Sequence, residues 1–243
     1  MGTLSPLLLL LSGLMGTLSQ EDLEGKAFVF PFASNVAFVR LKMDMKKPLT
    51  SLTVCERFQT DLVRPFALFS YATRGEDNEF LLHCDKPNIF SIFMKHGIVT
   101  FDVSKKPASS TGREHICFSW ASKTGLGALW WNGKLLARKS IMKNLVVHGN
   151  ASIILGQEQD SFGGHFDVNQ SFVGEIEDVY FWDRVLEPEE ICRVWDNRVV
   201  SRPLIDWRDL RYEMHGEVVV ARSSICACRS DRAGPPLWSP RHP

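Results

Sequence analysis

The chain of 243 residues carries 28 basic and 28 acidic side chains, so its formal net charge is zero. That balance excludes a nucleic-acid binder that works through an overall basic excess. An apolar fraction of 44 % with 23 % charged residues excludes a disordered chain, and the length suits one β-sandwich domain of about 200–250 residues with a full core.

In chain order, the first feature is the apolar run from Leu7 to Leu11. It is too short to cross a bilayer as a helix and fits the core of a secretory signal. Small residues at Thr17 and Ser19 put cleavage before Gln20. Residues 1–19 are therefore expected as a signal peptide, and the product as secreted and extracellular. Export exposes six cysteines, Cys55, Cys84, Cys117, Cys192, Cys226 and Cys228, to an oxidising setting, in pairings that spacing leaves open. The lack of a Cys-x-x-Cys pair argues against a cysteine-held zinc site.

The stretch 20–220 reads as one domain of short strands. Apolar and β-rich runs fall at 26–31, 37–41, 52–58, 66–71, 79–82, 90–94, 98–103 and 115–120. Alternation within several of them predicts one buried and one wetter face. Residues 128–131 and 134–137 flank Asn132-Gly133, a pair that supplies the positive φ angles of a two-residue hairpin turn. Runs at 152–155 and 173–182 complete the set. Between Glu187 and Trp195, a proline and acids in the first turn precede apolar residues at helical spacing, which predicts one short helix. The fold class is an all-β, two-sheet antiparallel jelly-roll sandwich. After Val220 the composition changes, and 221–243 reads as an atypical tail.

The densest group of oxygen ligands follows the strand at 152–155. It holds Glu158, Asp160 and Asp167, with amide oxygens on Gln159 and Gln170 and two glycines that let the loop fold back. Calcium takes six to eight hard oxygens in irregular geometry, and this loop could supply several. The Glu76-Asp77-Asn78-Glu79 stretch reads as a polar turn before a strand. Catalytic signatures such as G-x-S-x-G, H-E-x-x-H or a P-loop do not occur. The nearest enzymatic reading is an acid pair, Glu158 with Asp160 or Glu175 with Glu177, in a glycan-processing jelly roll. Asn150 and Asn169 each head a glycosylation sequon, and the first sits at a loop-to-strand junction.

The run His115-Ile116-Cys117-Phe118-Ser119-Trp120-Ala121-Ser122 matches H-x-C-x-S/T-W-x-S, the signature of the short pentraxin family. Residues 156–166, 170–176 and 69–73, together with Asp77-Asn78-Glu79, also resemble that family, and the likeness spans about Gly25 to Val220. The resemblance implies a cyclic homopentamer that binds two calcium ions per subunit on one face and recognises repetitive surfaces without catalysis. It implies a first ion on Asp77, Asn78, Glu158, Asp160 and the Gln159 carbonyl, and a second on Glu158, Asp160, Asp167 and Gln170. It implies a Cys55–Cys117 disulfide. His83, Phe93 and Ile98 stand at the family's ligand pocket, where a choline-reading acid and a hollow are both lost. Phosphoethanolamine-like or polysaccharide ligands are then expected, rather than phosphocholine. The family also implies complement or immunoglobulin-receptor partners on the opposite face, where Asn132 and Trp195 replace an acid and a tyrosine. A laminin-G-like adhesion module is the remaining alternative.

Overall fold

The computed structural model describes residues 22–109, 112–198 and 200–223. The expected signal peptide, most of the expected tail, and with it Cys226 and Cys228, lie outside the described residues.

Two seven-stranded sheets face each other, and every registered strand pair is antiparallel. In chain order the strands are β1 (Lys26–Phe30), β2 (Phe38–Leu41), β3 (Ser51–Gln59), β4 (Phe66–Thr73), β5 (Glu76–Lys86), β6 (Ile89–Met94) and β7 (Gly97–Asp102). They continue with β8 (Glu114–Ala121), β9 (Leu126–Trp131), β10 (Lys134–Ser140), β11 (Ser152–Leu155), β12 (Gly174–Trp182), β13 (Tyr212–His215) and β14 (Val219–Arg222). The first sheet runs β10-β9-β8-β3-β12-β1-β14 and the second β13-β2-β11-β4-β5-β6-β7. This is the jelly-roll sandwich expected from the sequence.

The core lies between the sheets. Alternate residues of β3, Leu52, Val54 and Phe58, meet Phe80 and Leu82 of β5, Phe90 and Ile92 of β6 and the fully buried Phe118 and Trp120 of β8 in one cluster. The outer face of the first sheet carries a smaller apolar layer, where Cys55, Cys117, Trp130 and Trp182 pack against Ile191 and Val194 of the helix α1 (Pro188–Trp195). Its N-terminus closes with a reciprocal capping box between Glu187 and Glu190. Arg57 of β3 reaches its C-terminus, donating to the carbonyls of Val194 and Trp195 and to Asn197 Oδ1.

Strand existence follows the alternation, and Asn132 and Gly133 take φ of 49° and 75° at the β9–β10 turn as the Asn-Gly pair predicts. Three features differ from the sequence reading. β5 begins at Glu76, so Asp77 and Asn78 belong to a strand rather than to a preceding turn. β13 and β14 add edge strands that the reading lacked. β12 shifts register between Glu177 and Tyr180, where Asp178 adopts φ 53°, a bulge that interrupts the alternation.

Candidate ligand and metal site

The site is built where β11 ends. Gly156 has φ +82°, and a Cβ there would meet Phe30 Cε1 at 2.4 Å, so only glycine lets the chain turn off the sheet at this point. Beyond it, burial alternates: Gln157 and Gln159 are buried, Glu158 is half-buried and Asp160 is exposed. The two glutamines anchor the loop. Gln157 Nε2 donates to the carbonyls of Ser34 (2.5 Å) and Ala37 (2.8 Å). Gln159 Nε2 donates to the carbonyls of Ser70 and Ser152, each at 3.1 Å, while its Oε1 accepts from Gly163 N at 2.9 Å. The Gln159 amide is therefore committed inward. A contribution of this residue to the site falls to its main-chain carbonyl, not to its side-chain oxygen.

β4 lies between β11 and β5, with Leu155 level with Phe69 and Leu82 and with Ser152 level with Ala72, near the Thr73–Glu76 pair that starts β5. The loop doubles back from Leu155 until Gln159 bonds the carbonyls of Ser70 and Ser152, toward the first residues of β5. Asp77, Asn78, Asp160 and His83 gather around Glu158. Burial raises the Glu158 carboxyl above its ordinary range. His83 pulls against that rise, the negative charges of Asp160 and then Asp77 add to it, and a hydrogen bond with the Asn78 side chain favours the anion. The Asn78 side-chain oxygen, Oδ1, is buried with no hydrogen-bond partner. Among the described residues no three of these acid and histidine ligand atoms lie within 4.8 Å of one another; the mutual repulsion of the carboxylates and the unsatisfied amide oxygen are nonetheless what a hard divalent cation relieves.

Asp167 and Gln170 sit at the far end of the same loop, at a short 3-10 turn, Val168–Gln170. Asp167 Oδ1 accepts from the main-chain and side-chain nitrogens of Asn169, both at 2.9 Å. Arg64 fixes the turn by donating to the carbonyls of Asn169 (3.1 Å) and Ser171 (2.7 Å). The interactions gathered around Glu158 do not include Asp167 or Gln170.

The remaining pocket residues share the outer face of the β5-β6-β7 sheet. Phe93 is opposite Leu81 on one side and Ile98 on the other. The ring of His83 meets that of Phe93 edge-on at 6.2 Å, and Ile98 is 57 % exposed. The sequence reading missed what supports the histidine. His83 Nδ1 lies 2.8 Å from Asp85 Oδ1, Ser91 Oγ donates to Asp85 Oδ2 at 2.5 Å, and Ser91 and Thr100 share a 2.9 Å hydroxyl bond. The signal was present as His83 and Asp85 two apart on one strand.

The acid pair at Glu175 and Glu177 is tied to a buried cation. The fully buried Arg113 pairs with both carboxylates, and burial raises Glu177 to about 7. Cys55 and Cys117, opposite each other in the β3–β8 register, form a disulfide. His115 lies beside them, but with both sulfurs bonded to each other the trio offers no thiolate to a metal. Asn150 is exposed immediately before β11, whereas the Asn169 amide is tied to Asp167.

A family model described as the Pentaxin family matches residues 26–222. C-reactive protein of Rattus norvegicus is 48 % identical over 200 residues, covering 82 % of this chain and 86 % of the relative. Mucosal pentraxin of Rattus norvegicus is 45 % identical over 211 residues, with 87 % and 93 % covered. Serum amyloid P-component of Homo sapiens is 40 % identical over 211 residues, with 86 % and 93 % covered. The crystal structure of a native heptameric SAP-like pentraxin from Limulus polyphemus matches the fold with a TM-score of 0.76 at 23 % identity, over 86 % of this chain and all of that one. A jelly-roll sandwich, the signature around Cys117 and these relatives converge on one conclusion: the chain belongs to the Pentaxin family.

Proposed function

We propose that this protein is a secreted, calcium-dependent pattern-recognition protein of the innate immune kind, which acts by binding and not by catalysis. The observation that carries the reading is the unpartnered, buried Asn78 Oδ1 on a residue whose side chain also bonds the half-buried Glu158, a carboxylate on which the charges of Asp160 and Asp77 both act. Asp77, Asn78, Glu158, Asp160 and the Gln159 carbonyl would hold one calcium ion. Glu158, Asp160, Asp167 and Gln170 would hold a second. When bound, calcium supplies open coordination positions for phosphate, carboxylate or sugar oxygens. The chain's own part is to keep the donors in place. Gln157 and Gln159 pin the loop from beneath, and Arg64 pins the turn at Asp167.

Ligand choice falls to the pocket beside the ions. Phe93 and Ile98 present an aromatic and an aliphatic surface where the family's choline-reading acid and hollow are lost, so phosphoethanolamine-like or polysaccharide ligands fit better than phosphocholine. A single shallow site binds weakly. Repeating it around a homopentameric ring raises avidity on a repetitive surface by about 10²–10⁴. The heptameric relative supports closed ring assembly in this fold. Complement or immunoglobulin receptors would meet the opposite, helix-bearing face around Asn132 and Trp195.

The test is capture of the full-length secreted protein on immobilised phosphoethanolamine and phosphocholine, with calcium and with chelator, alongside native mass measurement. Calcium-dependent capture with preference for phosphoethanolamine, by a ring of five subunits, is the expected result. Capture that persists in chelator, or turnover of a polysaccharide, refutes the reading.

A further inference from the structure

A cleft of about 470 Å³ opens where β5 begins. The β4–β5 turn lines it with Thr73, Gly75 and Glu76, β5 with Glu79, the β6–β7 turn with Lys95 and His96, and the β10–β11 connection with His148. Its volume falls in the range of small-ligand sites. It adjoins donors of the proposed calcium site: Asp77 and Asn78 lie between Glu76 and Glu79 on β5, and the main-chain nitrogen of Lys95 donates to the Asn78 carbonyl at 2.7 Å.

Glu79 forms the floor. It is 0 % exposed, and its oxygens are already committed. Oε1 accepts from the His148 main-chain nitrogen at 2.6 Å and lies 2.8 Å from His148 Nδ1 and 3.6 Å from Lys95 Nζ. Oε2 accepts from Thr73 Oγ1 at 3.3 Å. A carboxylate so close selects the Nδ1–H form of the neutral ring, which leaves the lone pair on Nε2 of a side chain that is 59 % exposed. Lys95 answers the charge of Glu79. Glu76 is then the further acid, and the described lining residues hold no permanent cation in excess. Among them, none carries a purely hydrocarbon side chain. Gly75 leaves one wall bare. Its φ lies outside the left-handed region, and a Cβ placed there would meet nothing within 4 Å. Neither packing nor the backbone angle requires glycine at this position.

We propose that this cleft is a sugar subsite, which takes the uncharged ring next to the one whose acidic oxygens meet the calcium ions. The subsite presupposes the calcium-dependent reading above. It narrows the ligand class to polysaccharides with at least two rings engaged, over an isolated phosphoethanolamine headgroup. An acidic group would find no unpaired permanent cation here, and a hydrocarbon group no apolar wall. Ring hydroxyls donate and accept at once. They can donate to the Glu76 carboxylate and to His148 Nε2. They can accept from Lys95, whose ammonium keeps N–H groups beyond the one aimed at Glu79. The bare backbone at Gly75 lets a ring lie close.

The experiment compares mannose 6-phosphate with disaccharides that join the same phosphorylated ring to an unmodified mannose, galactose or glucose. Each is titrated calorimetrically into the full-length protein in calcium. At least one disaccharide should bind about tenfold more tightly than the monosaccharide, the return of one or two net hydrogen bonds. Gly75→Leu fills the cleft at a position where a side chain meets no atom. It should erase that gain and leave binding of mannose 6-phosphate and capture on immobilised phosphoethanolamine unchanged. On the unaltered protein, diethyl pyrocarbonate modification of His96 and His148, read by mass spectrometry, should fall with the favoured disaccharide and not with mannose 6-phosphate. If Gly75→Leu misfolds by circular dichroism, this protection decides the matter. Absence of disaccharide binding, a monosaccharide that binds as tightly as every disaccharide, or a gain that survives in Gly75→Leu overturns the proposal. So does an equal loss of phosphoethanolamine capture in that variant, because the cleft would then serve the amine. Calcium-dependent capture without a disaccharide gain sinks the subsite and leaves the proposed function standing. A disaccharide gain that persists in chelator does the opposite.

Discussion

Glu56 is the side chain most at odds with its surroundings. It lies on β3 between Val54 and Phe58, both in the core between the sheets, and strand alternation puts it on the same face. It is 0 % exposed, and neither carboxylate oxygen has a hydrogen-bond partner. Burial alone raises its carboxyl from 4.5 to about 8. The folded-state value thus exceeds the unfolded one, so the folded chain retains a proton that the unfolded chain releases as pH rises. The stability tied to this proton is fully present below about pH 4.5, declines through the window up to about pH 8 and changes no further above it. A rise of about 3.5 pH units at 1.36 kcal/mol each amounts to about 5 kcal/mol. Glu56→Leu removes the titrating group and fills the same space with apolar atoms. Urea unfolding of both proteins at pH 4.5, 6, 7.5 and 8.5 should show the variant more stable throughout. The gap should be smallest at pH 4.5 and about 5 kcal/mol wider at pH 8.5. Other titrating groups, Glu177 among them, are common to both proteins and cancel in the difference. A gap that stays constant across this range, or a variant less stable than the parent, would refute the placement of an unpaired carboxyl in the core.

Three further outcomes are expected. Asn78→Ala removes the unpartnered oxygen without removing a charge and should lower calcium affinity at least about tenfold, read by calorimetry, while the melting temperature in chelator stays within a few degrees. Gly156→Ala places a Cβ against the Phe30 ring at a positive φ; a loss of about 2–4 kcal/mol in urea unfolding, with faster amide exchange in 157–164, would show that the glycine sets the loop's departure from the sheet. Replacing Cys55 and Cys117 together by alanine opens a link across 62 residues of sequence and should cost about 2–4 kcal/mol by the same unfolding measurement.

Most of the sandwich could be read before the structure because its central strands bury one face or both, and burial writes itself as periodicity. β13 and β14 escaped because edge strands bury little: Tyr212–His215 and Val219–Arg222 contain no fully buried residue. The start of β5 escaped for a related reason, since Asp77 and Asn78 lie on a half-buried stretch of strand made of polar residues, which reads as a turn. The acids of the site could be identified by type, and their nearness to one another could not. Asp77 and Glu158 are distant in sequence and meet only because β4 pairs with both β11 and β5. The Asp85-Ser91-Thr100 support of His83 was hidden likewise, because it depends on the exact register of three strands.

Among the described residues the two sheets end in four edge strands, β10, β14, β13 and β7. Backbone amides and carbonyls along such edges invite further strands, and a protein at high local concentration would aggregate through them. Each edge here carries charge: Lys134, Arg138 and Lys139 on β10, Arg222 on β14, Glu213 on β13 and Asp102 on β7. Continuing a sheet from one molecule into the next would bury these groups. The charges thus act as gatekeepers against fibril-like stacking, and copies that do associate are steered to meet through side-chain surfaces, the kind of contact that closes into finite assemblies.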